Sequence, residues 1–172
     1  MLRPTTFTRH LGGAGIVSGH RIRLVGPWDF TWREAPESDD GPDELEPRSI
    51  NPTRTGSVPM PCDWQALFGT AAGCATFSRR FHRPTNLDAN EQVVIILTGV
   101  GGGGKLSLNG SVLTEFTSTT EPVEADVTDR LLPFNVLEVS IHFRPATAPE
   151  PATGPPNPGG LFAPVVLEIR QL

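Results

Sequence analysis

The hydrophobic and polar positions between residues 93 and 143 carry the clearest pattern in the chain. Val93–Leu97 (V-V-I-I-L) is continuously apolar and rich in β-branched residues. Such a run suits a strand covered on both faces, and so a central one. Lys105–Leu108 and Ser111–Phe116 flank Asn109-Gly110, a dipeptide that tolerates positive φ at both positions and predicts a tight hairpin. Val123–Val127 feeds a turn over Thr128–Leu132, with Thr128 as its N-cap. Val136–Phe143 then alternates Leu137, Val139, Ile141 and Phe143 against Glu138, Ser140 and His142, as a half-buried strand does.

The flanking regions extend the pattern. His20–Val25 alternates as a first strand. After Gly26-Pro27, Trp28, Phe30 and Trp32 share one face, opposite Asp29, Thr31 and Arg33. Residues 35–57 are rich in Asp, Glu and Pro and predict a solvated acidic loop. Ala75–Arg83 is a strand with Phe77 and Phe81 on one side, and Gly101–Gly104 is a loop. Residues 146–160 form a Pro-rich loop that supports neither ladder nor helix. Val165, Leu167 and Ile169 close the chain as a last strand. About nine strands and no helix longer than two turns predict an all-β fold, a β-sandwich or jelly roll. Residues 1–19 are expected to be a flexible N-terminal arm and 20–172 a single β-sandwich domain.

Composition narrows the classes. Hydrophobic residues make up 37% of the 172, too many for a disordered chain. The net charge is −5 and Lys105 is the sole lysine, so nucleic acid is not an expected partner. No apolar run approaches the roughly 18 residues of a membrane helix. The N-terminus has basic residues but no apolar signal-peptide core, so the default expectation is cytoplasmic, with secretion left open. Cys62 and Cys74 read as two isolated thiols, with pairing open for an oxidising compartment.

Six pieces occur in an order that adds to this reading: G-P-W-D-F (26–30), V-P-x-x-x-D-W-x-x-x-x-G (58–69), F-S-R-R-F (77–81), L-T-G-V…L-S-L-N-G (97–110), D-V-T-D-R-L…N-x-L-E-V (126–139) and G-G-L-F-A-P-V-V-L (159–167). Together they resemble the N-terminal sugar-binding domain of glycoside hydrolase family 2, which includes β-galactosidases, β-glucuronidases and β-mannosidases. The resemblance implies a galactose-binding-like jelly roll that accompanies a catalytic barrel. In that family the acid/base and nucleophile carboxylates lie on the barrel, and these 172 residues end before one could begin. The implied function is a non-catalytic carbohydrate-binding-like module. Alternatives are a structural or protein-interaction domain without a sugar ligand, and a stand-alone fragment or subunit of a split glycoside hydrolase. Some family members touch substrate through an Asn before the Trp of the V-P segment, where Asp63 stands here. A second contact, an acidic aromatic segment after the strand at 136–143, is replaced by the Pro-rich loop.

A sugar site needs aromatic faces and planar polar groups. Trp28 and Trp32 read as core. Trp64 is the candidate for stacking, against the alternative that it packs beneath its loop. Asp63 could accept sugar hydroxyls or cap the turn over Trp64–Leu67. Arg79 falls on the side of Phe77 and Phe81, where a guanidinium needs a carboxylate such as Glu124 or Asp126; anion or sugar binding is the other reading. Asn157 and the loop at Gly101 complete the expected ligand-binding surface of Asp63, Trp64, Arg79 and Asn157. The four histidines are dispersed, Gly101–Gly104 lacks phosphate-loop spacing, and no catalytic residue, metal ligand or cofactor is expected. A structural calcium is known in some relatives of the fold but has no support in these residues.

Overall fold

Alternating strands must bury one parity of side chains, and two sheets facing each other do this here. The computed structural model describes residues 20–35, 53–117, 121–146 and 157–172. In chain order these give β1 (His20–Arg23), β2 (Pro27–Glu34), β3 (Thr53–Pro59), β4 (Cys62–Asp63), helix α1 (Trp64–Phe68), β5 (Gly73–His82), β6 (Glu91–Leu97) and β7 (Val100–Gly101). There follow β8 (Gly103–Leu108), β9 (Ser111–Phe116), β10 (Val123–Asp126), a 3₁₀ turn (Thr128–Arg130), β11 (Phe134–Phe143), β12 (Gly160–Leu161) and β13 (Val165–Gln171). One sheet runs β1-β13-β6-β10 and the other β3-β2-β5-β11-β8-β9, while β4-β12-β7 forms a small third sheet. The expected all-β sandwich of jelly-roll type is the observed architecture.

The core lies between the two large sheets. Val93, Ile95 and Leu97 of β6 and Leu167 of β13 face Trp28, Phe77, Leu106, Leu137, Val139 and Ile141 of the other layer, all buried. Each such side chain contributes roughly 1.5–3 kcal/mol through burial. Phe68 of α1 joins this layer, stacked on Trp32 at 5.2 Å and edge-on to Phe30 at 5.6 Å. Trp28, Phe30 and Trp32 therefore share the inner face, as their spacing predicts.

The unbroken apolar run of β6 has its own cause. Its outward residues Val94 and Ile96 form a second cluster with Val166. The register sets this cluster beside Glu124, Asp126 and Glu168. Arg170 donates to both oxygens of Glu124 at 2.8 and 2.9 Å and to Glu168 at 2.7 Å, and Arg21 also pairs with Glu168. Glu168 is only 7% exposed, a burial a carboxylate tolerates when paired. Hydrogen bonds from Arg170 hold both Glu124 and Glu168 below the usual carboxylate range. A depressed carboxylate stabilises the fold above its unfolded pKa and loses that contribution as pH falls through the folded value. Arg170→Met is expected to lower stability at neutral pH and to flatten the acid limb, measured as urea midpoints from neutral pH down through the carboxylate range.

Several expectations change. Thr53–Ser57, expected to be loop, belongs to β3, which pairs with β2 from Pro27↔Pro59 to Arg33↔Thr53. Thr53–Ser57 are exposed on both faces and only Val58 packs against the core, so no alternation marked an edge strand held by backbone bonds. Gly103 and Gly104 are not loop but open β8 opposite His142 and Ile141; a side chain at Gly104 would run into the Ser140 carbonyl. Thr128 does not cap its turn. Asp126 accepts from the Thr128 N–H at 2.9 Å and from its hydroxyl at 2.6 Å, while Thr128 Oγ1 accepts from Val93 N–H at 2.9 Å. The hairpin is as expected, with φ of 52° at Asn109 and 80° at Gly110. The expected arm at 1–19, most of the acidic loop (36–52) and most of the Pro-rich loop (147–156) lie outside the described residues. No helix of the described residues is long and apolar enough to cross a membrane.

Candidate functional site

The small third sheet gathers residues far apart in sequence at one rim. Gly160 of β12 pairs with Asp63 of β4 on one side and Gly101 of β7 on the other. Gly159 and Gly160 take φ of 70° and 73°, a left-handed backbone that favours glycine. Asn157 precedes them, and its Oδ1 accepts from the Gly159 N–H at 3.0 Å. A side chain at Gly101 would collide with Asn157 and Gly159, so the glycine there permits the close approach. Asp63, Trp64, Gly101 and Asn157 are thus brought together.

Their roles differ from residue to residue. Asp63 caps α1: Oδ1 accepts from Ala66 N–H at 2.7 Å, leaving its own backbone extended. Asp63→Ala is expected to cost about 0.5–2 kcal/mol in thermal or denaturant unfolding. Trp64 borders a small pocket yet is fully buried. It is 0% exposed, packs against Phe68 at 4.7 Å and Phe143 at 5.4 Å, and donates its indole N–H to Ala71 O at 2.8 Å. Packing beneath the loop is the arrangement observed, because α1 turns the indole inward as soon as Asp63 starts the helix.

Arg79 stands elsewhere, against the Gly26–Pro27 turn, where it donates to Pro27 O at 2.8 Å. The expected carboxylate partners are taken: Glu124 binds Arg170, and Asp126 accepts from the N–H and hydroxyl of Thr128. Arg79 Nε is buried and has no hydrogen-bond partner. The phase of β5 does place Arg79 inward behind Phe77, but the carboxylates belong to β10, in the other sheet.

Beside Trp64 lies a pocket of about 200 Å³, lined in part by Gln65, Thr70, Phe143, Pro145, Asn157 and Pro158. Two amides and a hydroxyl line it beside apolar side chains, and among the described residues no carboxylate lines it. Gln65 and Thr70 carried no signal in the sequence, since a single polar residue in a short helix or turn has no periodicity. At the opposite end of β11, Phe134 is 73% exposed, its ring 4.7 Å from that of His82. Among the described residues no group of three or more His, Cys, Asp or Glu is placed to hold a metal. Cys62 and Cys74 are free thiols. Burial pushes both up, Asp63 adding to the effect at Cys62, and Arg33 and Lys105 opposing it at Cys74.

No family model and no curated protein matches the sequence. Solved structures do match. A β-glucuronidase from an uncultured Clostridium sp. is 19% identical with a TM-score of 0.64, the match covering 99% of this chain and 30% of that one. A Faecalibacterium prausnitzii β-glucuronidase is 20% identical, TM-score 0.61, over 93% of this chain and 32% of its own. A GH2 β-galacturonidase from Eisenbergiella tayi, bound to galacturonate, is 18% identical, TM-score 0.58, over 87% and 24%. At these identities the likeness is one of fold. The chain spans about a quarter to a third of the length of each of these proteins.

Proposed function

We propose that this chain is a non-catalytic module of the kind found within family 2 glycoside hydrolases, and that its rim pocket takes a carbohydrate. The observation that carries the reading is the pocket of Gln65, Thr70 and Asn157 over Phe143 and Pro158. Amide and hydroxyl groups suit sugar hydroxyls, which both donate and accept, and an apolar floor suits the C–H face of the ring. Supporting it, the fold match runs over nearly the whole chain but over a minor part of enzymes that act on uronic acid glycosides or galacturonides.

The reading is non-catalytic because glycoside hydrolysis uses two carboxyl groups about 5–9.5 Å apart astride the bond. Among the described residues the pocket lining provides neither. Asp63, next to Trp64, already caps α1.

Calorimetric titration of the chain with galactose, glucose, galacturonate and glucuronate tests the proposal. Saturable binding by at least one sugar is expected, weakened about fivefold in Gln65→Ala, the effect of one lost hydrogen bond of roughly 1 kcal/mol. Silence across all four sugars overturns the carbohydrate reading. A protein-interaction role is the second reading, favoured by the exposed Leu132 and Phe134 at the far end of β11.

A further inference from the structure

The outer face of the six-stranded sheet carries a row of chemistry that the rim pocket does not use. Register sets Arg33 of β2 opposite Cys74 of β5, and Cys74 opposite His142 of β11. All three point away from the core, because their chain neighbours Trp32, Ala75 and Ile141 are buried. Cys74 Sγ lies 3.7 Å from His142 Nε2. The pair lines a cleft of about 420 Å³ together with Arg33, Glu34, Phe143 and Arg144. Neither Arg33 nor Arg144 makes an ion pair among the described residues. Lys105 stands one row away, opposite Ser140.

A thiol beside an imidazole is a nucleophile beside a base, and guanidinium groups around it favour an anionic reactant. Cys62 is the internal control. Its immediate neighbour is the Asp63 carboxylate, and its Sγ approaches the Asp63 carbonyl at 3.7 Å.

We infer that Cys74 and His142 form a covalent capture site for small disulfides that carry carboxylates. His142 Nε2, unprotonated in the tautomer with hydrogen on Nδ1, takes the Cys74 proton. The sulfur electron pair attacks the nearer sulfur of the disulfide, an S–S bond forms to Cys74, and the original S–S bond breaks. Its electron pair leaves on the departing thiolate, which takes the proton back from His142. One protein thiol and one disulfide become one mixed disulfide and one free thiol. Arg33 and Arg144 hold the carboxylates.

The test uses the reduced full chain with dithiobis-nitrobenzoate, a dianionic disulfide, and with dithiodipyridine, a neutral one, followed by peptide mass mapping. With the dianionic reagent Cys74 is expected to react at least about tenfold faster than Cys62. The fast phase persists in Cys62→Ser and vanishes in Cys74→Ser. His142→Gln slows it roughly tenfold, and added imidazole restores part of the loss. Arg33→Gln slows the dianionic reagent about fivefold and leaves the neutral one unchanged. Equal labelling of the two cysteines, or a His142→Gln rate equal to that of the parent chain, overturns the inference. Neither result depends on whether the rim pocket binds sugar.

Discussion

Trp64→Ala is expected to remove about 3–5 kcal/mol from the stability of this sandwich, the usual cost of truncating a fully buried aromatic. The indole touches Phe68 and Phe143, and through Phe68 it supports Trp32. Its loss also orphans the Ala71 carbonyl that accepts the indole N–H. Domains of this size hold about 5–15 kcal/mol in total, so the variant should lose a large fraction of its stability. Guanidinium denaturation followed by far-ultraviolet circular dichroism measures the shift. A stacking residue at a sugar site would instead lose affinity and keep its midpoint. Trp64→Phe separates the contributions: it retains ring packing but drops the indole hydrogen bond, and should cost less than the alanine.

Asn135→Ala comes next, at about 2–3 kcal/mol, since it deletes three hydrogen bonds of roughly 1 kcal/mol each. Asn135 is 1% exposed. Its Oδ1 accepts from Leu132 N–H at 2.9 Å and from Asn109 Nδ2 at 3.0 Å, and its Nδ2 donates to Leu132 O at 2.7 Å. Asn109 in turn accepts from Val136 N–H at 2.9 Å. The hairpin turn and the entry to β11 are therefore one polar network, and a network left half satisfied costs more than its separate bonds suggest. Urea unfolding of Asn135→Ala and Asn109→Ala, alone and together, should show a double-mutant loss smaller than the sum.

Much of the fold was legible because strand chemistry is local. Alternation placed Trp28, Phe30 and Trp32 on one face, Asn109-Gly110 marked the hairpin, and Val93–Leu97 announced a strand covered twice. Where the reading failed, backbone or distance was responsible. Residues 53–57 of β3 are exposed on both faces, so their pairing with β2 left no side-chain trace. Gly103–Gly104 read as loop because glycine has no side chain to alternate, yet Gly104 is what lets β8 approach Ser140.

The candidate site was legible only in part. Asp63 and the loops near Gly101 and Asn157 were expected to form one surface, and the small sheet around β12 does bring these together. Arg79 was grouped with them and lies instead at the Gly26–Pro27 turn. Gln65 and Thr70, and the partnership of Cys74 with His142 across 68 positions, had no linear signature.

Side-chain parity and turn chemistry belong to neighbouring residues, so the amino-acid order alone determined that this polypeptide makes a two-layered β structure. Which strand lies beside which, which carboxylate reaches which guanidinium, and whether an indole meets water or Phe68 depend on contacts between distant segments. Those contacts come into being only when the two sheets close over their common interior, and that closure turned Trp64 inward and left Cys74 beside His142 on the surface.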